Sequence, residues 1–234
     1  MSGTSGETPA PGDAHQLATV ELLGSLAYGQ LRSFAATAST ITLAPDAAMA
    51  DVLVVWADAE LQRYRQLREH LDARTELVTA VMERQRGYFD DYFDRAPLDD
   101  WFGACVFFAL GLPMAADFIR AVAPALDDES AAVVRTTLER QEVQDAALEE
   151  LRRQLVDDAS RERARQLTAD LLGRALTGFQ GVMANTDALK ILLAADLQDG
   201  ETGEQRVKRL ALEVLEGHRR RVVEIGLEDL EDVT

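Results

Sequence analysis

The chain has 234 residues, of which 47% are hydrophobic and 28% charged, and its formal net charge is −17. This length and apolar content are sufficient for a substantial core and exclude a disordered chain. The strong negative charge disfavours binding to nucleic acids or to an anionic membrane surface, and we expect neither as a partner.

The residue composition favours an all-α protein. Ala, Leu, Glu, Arg and Gln are strong helix formers and dominate the sequence, whereas no segment alternates as a strand would. Prolines, glycines and acidic capping residues mark the breaks between helical segments. Seven helices are predicted, approximately over Ala14–Ala38, Asp46–Ala73, Thr75–Phe93, Pro97–Pro124, Asp127–Asp157, Ser160–Ala184 and Glu204–Ile225.

The two ends of the chain differ from its middle. Residues 1–13 are rich in Ser, Gly, Thr and Pro and have no signal-peptide pattern, so we interpret them as a disordered lead-in. Residues 14–226 are predicted to form one helical domain, and residues 227–234 an acidic tail. The most apolar stretch, Trp101–Ala116, has 16 uncharged residues, whereas a bilayer span requires roughly 20. We therefore expect a cytoplasmic protein.

The fourth predicted helix is apolar on nearly all sides, which is typical of a helix at the centre of a bundle. Gly111 and Pro113 interrupt it. Pro113 removes a backbone hydrogen bond, so we expect a kink or a bulge there. Cys105 lies in the same helix and is the only cysteine. Its apolar surroundings favour a buried hydrophobic residue over a catalytic thiol.

Two groups of arginines are candidates for a local basic patch. We expect both to lie on solvated helix faces beside acidic residues, because charge runs usually do so. The two groups are Arg161, Arg163 and Arg165, and Arg219, Arg220 and Arg221.

Acidic residues interrupt the apolar stripes of the first two helices. Glu21 lies on the stripe that includes Leu17, Gly24, Tyr28, Leu31 and Ala35. Glu60 lies on the stripe that includes Met49, Leu53, Trp56, Arg63, Leu67 and Leu71. An ionised carboxylate is costly to bury unless a cation or metal compensates it. Glu21 and Glu60 are therefore candidate metal ligands, and the later acids Asp117, Glu142 and Asp145 could complete a carboxylate-rich site.

Three segments resemble the ferritin-like superfamily, in particular its branch of MiaE-type tRNA hydroxylases. They are ELLGSLAYGQLRSF at 21–34, DAELQRYRQLREHL at 58–71 and ALGLPMAADF at 109–118, and the resemblance in helix order covers residues 14–225. It implies an antiparallel ferritin-like helical bundle. It also implies di-iron monooxygenase chemistry on a modified adenosine of tRNA, with Glu21 and Glu60 as the first two ligand acids.

The histidines depart from this pattern. Ferritin-like di-iron sites use Glu-x-x-His pairs, but His15, His70 and His218 each follow a non-acidic residue at the third position before them. Arg63 stands where a ligand histidine would be expected after Glu60. Our hypothesis is that Glu21, Glu60 and Arg63 form a core salt bridge in place of the metal.

The favoured function is accordingly a non-catalytic scaffold or regulatory protein without a cofactor, which acts on protein partners or as a homodimer. The alternative is a di-iron or di-manganese monooxygenase with ligands Glu21, Glu60, Asp117 and either Glu142 or Asp145. A third possibility is an unrelated helical ligand-binding protein. Each residue also has a simpler structural interpretation. Glu21 could lie at a helix edge, Glu60 and Arg63 could form a surface pair, and Asp117 could pair with Arg120.

Overall fold

A computed structural model describes residues 11–138, 141–195 and 197–227. Within these ranges the chain is helical and contains no strand, which confirms the all-α prediction. The α-helices in chain order are α1 (Pro11–Thr40), α2 (Ala47–Asp72), α3 (Val78–Asp94), α4 (Trp101–Val106), α5 (Leu112–Val122), α6 (Asp128–Thr137), α7 (Gln141–Gln154), α8 (Asp158–Asn185), α9 (Ala188–Ala195) and α10 (Gly203–Glu224). Residues 11–13 of the predicted lead-in are already helical, and most of the predicted tail lies outside the described residues.

Acidic side chains begin several helices as the sequence predicts. Asp46 accepts a hydrogen bond from the Met49 backbone N–H at 2.8 Å, and Asp100 accepts one from Gly103 at 2.8 Å. Asp127 caps α6 in the same way. Each cap satisfies a backbone donor that has no partner within the helix, and this fixes where the helix starts.

Several details of the predicted helix pattern differ from the structure. The third helix begins at Val78, because Thr75 accepts from Leu77 and closes a turn before the helix. Within the predicted fifth helix, α6 ends at Thr137 and α7 is described from Gln141, and residues 139–140 lie outside the described residues. The hydroxyls of Thr136 and Thr137 donate to backbone carbonyls of the preceding turn at the end of α6, and such bonds bend or end helices. Helix α9 was not predicted because it is only eight residues long.

A π-helical segment, Phe107–Gly111, joins α4 to α5. The predicted bulge is therefore present, and it directly precedes Pro113. The Leu112 N–H donates to the Phe107 carbonyl instead of the usual carbonyl one residue later, so the extra residue accommodates the proline ring. Cys105 is 2% exposed, as expected of a small buried hydrophobic residue. Burial raises the pKa of its thiol to about 12.

The continuous helical stretch Trp101–Ala125 is long and apolar enough to cross a membrane by length and composition. This stretch has 25 residues, whereas the uncharged segment counted in the sequence analysis ends at Ala116. However, 67% of its most apolar window is buried inside the bundle, which is consistent with the core helix of a soluble protein.

Helix α1 packs against α2, α3 and α9, and α5 packs against α10. Glu21 contacts Arg84, and Arg32, further along α1, contacts Asp94, which is further along α3. The two helices therefore run parallel. The inner face of α1 includes Leu23, which is fully buried, whereas Leu17 is 61% exposed. Ala35, at the other end of the predicted stripe, is also exposed, so the predicted α1 stripe is wrong at its first and last residues.

We predict that Gly103→Ala destabilises the protein by about 1–3 kcal/mol, the usual range for overpacking. The added methyl would clash with the backbone carbonyl oxygen of Pro97. Gly173→Ala is the matched control, because nothing lies within 4 Å of its added methyl. In the α8 helix this control should stabilise by up to about 1 kcal/mol. Urea unfolding measures both; equal effects of the two substitutions would contradict the close approach at Gly103.

Candidate functional site

Glu60 and Arg63 lie on consecutive turns of α2 and face the interior. Glu60 is 3% exposed, and its carboxylate oxygen Oε1 lies 3.9 Å from Arg63 Nη1. The Arg63 side chain is also largely buried, at 14% exposure. Because a guanidinium stays protonated at all accessible pH values, Arg63 supplies a permanent counter-charge for Glu60. The alternative of a surface pair does not describe this geometry.

Glu21 is half-buried and is bound by α3. Arg84 donates to its oxygen Oε1 through Nε at 3.1 Å and also through Nη2, and Gln85 donates to Oε2 at 2.9 Å. The structure thus corrects the predicted trio: the partners of Glu21 are on α3, and no bond from Glu21 to Glu60 or Arg63 is present among the described residues. Helical periodicity placed Glu21 on an inner stripe, but α1 packs against both α2 and α3, and periodicity does not choose between them.

Asp117 on α5 is held by two arginines. Arg120 Nη1 donates to Oδ1 at 2.6 Å, as the sequence alternative of an i,i+3 pair predicted. Arg221 Nη2 donates to Oδ2 at 2.6 Å from α10. Arg221 is 7% exposed, so the prediction that it lies on a solvated face was wrong. Gly217 permits this approach, because any side chain there would clash with the Asp117 carboxylate.

Two candidate acids remain, Asp145 and Glu142. Asp145 is exposed on α7, and the side chain of Glu142 lies outside the described residues. Among the side chains that the structure describes, no three His, Cys, Asp or Glu residues are close enough to share a metal ion. The carboxylates of Glu21, Glu60 and Asp117, as the structure describes them, therefore do not fit the di-metal centre that the resemblance implies.

His218 lies beside this α5–α10 contact. It is 3% exposed, and neither of its ring nitrogens has a hydrogen-bond partner of good geometry among the described residues. Burial, followed by the positive charge of Arg221, lowers the pKa of its imidazole to about 4. His218 is therefore neutral at physiological pH.

A histidine–serine contact that the sequence did not reveal joins α2 to α6. The Ser130 hydroxyl donates to Asp127 at 2.8 Å, and His70 Nε2 lies 3.1 Å from the same hydroxyl oxygen. The arrangement resembles part of a nucleophilic triad. However, Ser130 is fully buried, and its proton is directed to a carboxylate and not to the histidine. This hydrogen-bonded group has a structural role, because it joins α2 to the start of α6.

A cavity of about 230 Å³, partly open to solvent, lies in the bundle between α1, α3, α5, α8, α9 and α10. Its walls are mostly aromatic and aliphatic, and they include Phe89, Phe118 and Phe179. Gly29 lets α3 approach α1 here, because a Cβ atom would lie 2.7 Å from a ring carbon of Phe89. No signal in the sequence distinguished this cavity from ordinary core, because its lining residues are those of a packed bundle.

Two hydroxyl groups on the cavity wall have no partner. Tyr92 Oη and Ser33 Oγ are inaccessible to solvent and make no hydrogen bond within the described part of the chain. Burial raises the pKa of the Tyr92 hydroxyl, so it stays protonated and can donate a hydrogen bond. An unsatisfied buried hydroxyl costs free energy, and such groups in a cavity indicate where a ligand would be recognised.

The helical order, the central apolar helix and the inward acids define a ferritin-like class of bundle. A family model described as a ferritin-like domain of actinomycetes matches residues 13–196. This match spans most of the chain, and the protein therefore belongs to that family. A search of curated proteins found no match.

The pKa of His218 predicts a loss of stability in acid. Its pKa is about 4 in the folded protein and about 6.5 when unfolded, so between these values the unfolded state binds more protons. Stability should therefore fall as pH decreases from 6.5 to 4, by about 2–3 kcal/mol at pH 4.5 from this residue alone.

Urea unfolding at pH 7 and pH 4.5 measures this loss. His218→Leu should lose less stability than the wild type over the same interval, and its remaining loss should include that of His70, whose pKa burial also lowers. An unchanged pH dependence in His218→Leu would show that His218 is not neutral and buried in solution.

Proposed function

We propose that this ferritin-like protein works by binding and not by oxygen chemistry, and that arginines occupy the electrostatic role of the metal. The observation that carries the proposal is that Glu21, Glu60 and Asp117 each face an arginine side chain. The chain would act as a scaffold or regulatory protein for protein partners or for a second copy of itself.

Electrostatics support this assignment. A divalent ion at any of these acids would have to approach a guanidinium whose charge does not titrate away. The Arg84 and Arg221 donors also use carboxylate oxygens that a metal would need. Imidazole ligands are the other requirement of ferritin-like di-iron sites. His218 lies near Asp117, but it is buried beside the positively charged Arg221. It also lacks the acid three residues earlier that a Glu-x-x-His pair requires.

The MiaE-type hydroxylase activity would require these arginines to move away before two metal ions could bind. No feature of the described residues favours that rearrangement. A tRNA substrate would also need a concentrated basic surface on a chain of net charge −17. Of the arginines considered for such a patch, Arg163 binds Asp100 and Arg221 binds Asp117, so both are already neutralised.

The test is metal content after expression with added iron and manganese. We expect far less than one metal ion per chain in the wild type by elemental analysis. Glu60→Ala should leave that value unchanged, as should the matched control Asp58→Ala, which removes an exposed acid from the same helix. Circular dichroism would verify that each variant is folded.

The opposite outcome is equally clear. About two metal ions per chain, as in ferritin-like di-iron proteins, would contradict the proposal if they were lost in Glu60→Ala and retained in Asp58→Ala. That result would favour the di-metal monooxygenase.

A further inference from the structure

We propose that the cavity between α1, α3, α5, α8, α9 and α10 binds an elongated, uncharged and mostly apolar molecule, whose single hydrogen-bonding group pairs with the Tyr92 and Ser33 hydroxyls. This goes beyond the proposed function and does not rest on it. Glu21 is the one acid of the proposed function that lines the cavity, and the binding argued here uses the apolar walls and not its carboxylate.

The volume of the cavity is the first argument. Protein interiors are close-packed, and their voids are usually no larger than a water molecule. An apolar cavity of about 150 Å³ is known to bind benzene or xenon. The cavity here measures about 230 Å³, so it has room for a larger ligand. Filling it would restore dispersion contacts that its walls now lack.

The shape of the cavity is the second argument. Its lining extends along α1 from Glu21 to Ser33 and along α3 from Gln85 to Phe93. At the helical rise of 1.5 Å per residue these spans are about 18 Å and about 12 Å. The cavity is therefore long relative to its volume, which fits a chain-like molecule better than a compact one.

The polar end of the cavity is the third argument. Ser33 is 4% exposed, and both its hydroxyl and that of Tyr92 lack partners among the described residues. The parallel register of α1 and α3, in which Arg32 meets Asp94, places Ser33 and Tyr92 within about one helical turn of each other along the bundle, or ~5 Å. Both residues line the cavity, and their hydroxyl oxygens are covered by neighbouring atoms, so pairing with a polar group of the ligand requires a small side-chain shift at this end.

The absence of an available charge defines the ligand further. Arg174 lines the cavity, but its guanidinium donates to the Arg95 carbonyl and to Asp170. Glu21 also lines it, and Arg84 and Gln85 bind both oxygens of its carboxylate. A charged ligand would therefore be buried without a counter-ion, at high cost. A hydroxyl, carbonyl or amide group on an alkyl chain fits instead.

The experiment uses straight-chain 1-alkanols, from hexanol to dodecanol, as probes in calorimetric titrations of the full-length protein. We expect the affinity to rise about fourfold per methylene, the factor that corresponds to ~0.8 kcal/mol, until the cavity is full. Tyr92→Phe should weaken binding of 1-hexanol about fivefold, as the loss of one hydrogen bond predicts. It should leave the affinity for n-hexane, which has no hydroxyl, unchanged.

A blocking variant locates the bound probe. Gly178 lines the cavity, and its added Cβ would meet no atom closer than 3.9 Å, so Gly178→Leu should fill the space and abolish binding. Gly173→Leu is the matched control on the same helix: its Cβ would point into open space, and Gly173 does not line the cavity. Both replace a helical glycine, so both should fold, and thermal unfolding checks this.

Three results would overturn the inference: no alkanol binding by the wild type, an affinity that does not rise with chain length, or equal binding by Gly178→Leu and Gly173→Leu. The metal content of the same preparation is measured separately. Metal in the protein would contradict the proposed function without affecting this binding, and failure of the alkanols to bind would leave the proposed function intact.

Discussion

The structure depends on how acidic side chains between packed helices are compensated. An ionised carboxylate in such a position is stable only with a counter-charge or a metal ion. In this protein Glu60 lies near Arg63 within α2, and Asp117 receives Arg221 from α10. Glu21 is bound by α3 in the same manner. Since arginine remains charged at all accessible pH values, these counter-charges do not titrate away as the pH changes.

The cavity lies between helix pairs that these charged contacts join. The α1–α3 contact is secured at Glu21 and at Arg32, and the α5–α10 contact at Asp117. The cavity lies between these two pairs of helices. The π segment before Pro113 brings Gly111 next to the Tyr92 hydroxyl, since a Cβ atom on Gly111 would lie 3.1 Å from it. A hydroxyl without a partner at this point lowers stability, and proteins commonly retain such costs where a ligand binds.

Much of the fold could be predicted from the sequence because its signals are local. Asp46 caps α2, Asp100 caps α4, and Pro113 follows a bulge, each for a reason contained within a few residues. The end of α6 at Thr137 carries no glycine or proline and was missed. Helix α9 was missed because eight residues contain little periodicity.

The site was less predictable than the fold because it depends on contacts between distant segments. The burial of Glu60 and its proximity to Arg63 follow from one helix stripe. Arg84 lies 63 residues from Glu21 along the chain, and Arg221 lies 104 residues from Asp117. Periodicity contains no information about either pair. The cavity depends on the packing of six helices, and residues such as Tyr92 and Ser33 have no distinctive pattern in sequence.

A double-mutant cycle on Glu60 and Arg63 tests the central claim that arginine takes the place of the metal as counter-charge. Urea unfolding would give the free energy of Arg63→Met, Glu60→Gln and the double variant. Arg63→Met removes the guanidinium that faces the buried Glu60 carboxylate and should cost about 3 kcal/mol. The double variant removes both charges and should recover most of that loss. If the double variant is no more stable than Arg63→Met alone, Arg63 does not compensate Glu60, and the account is contradicted.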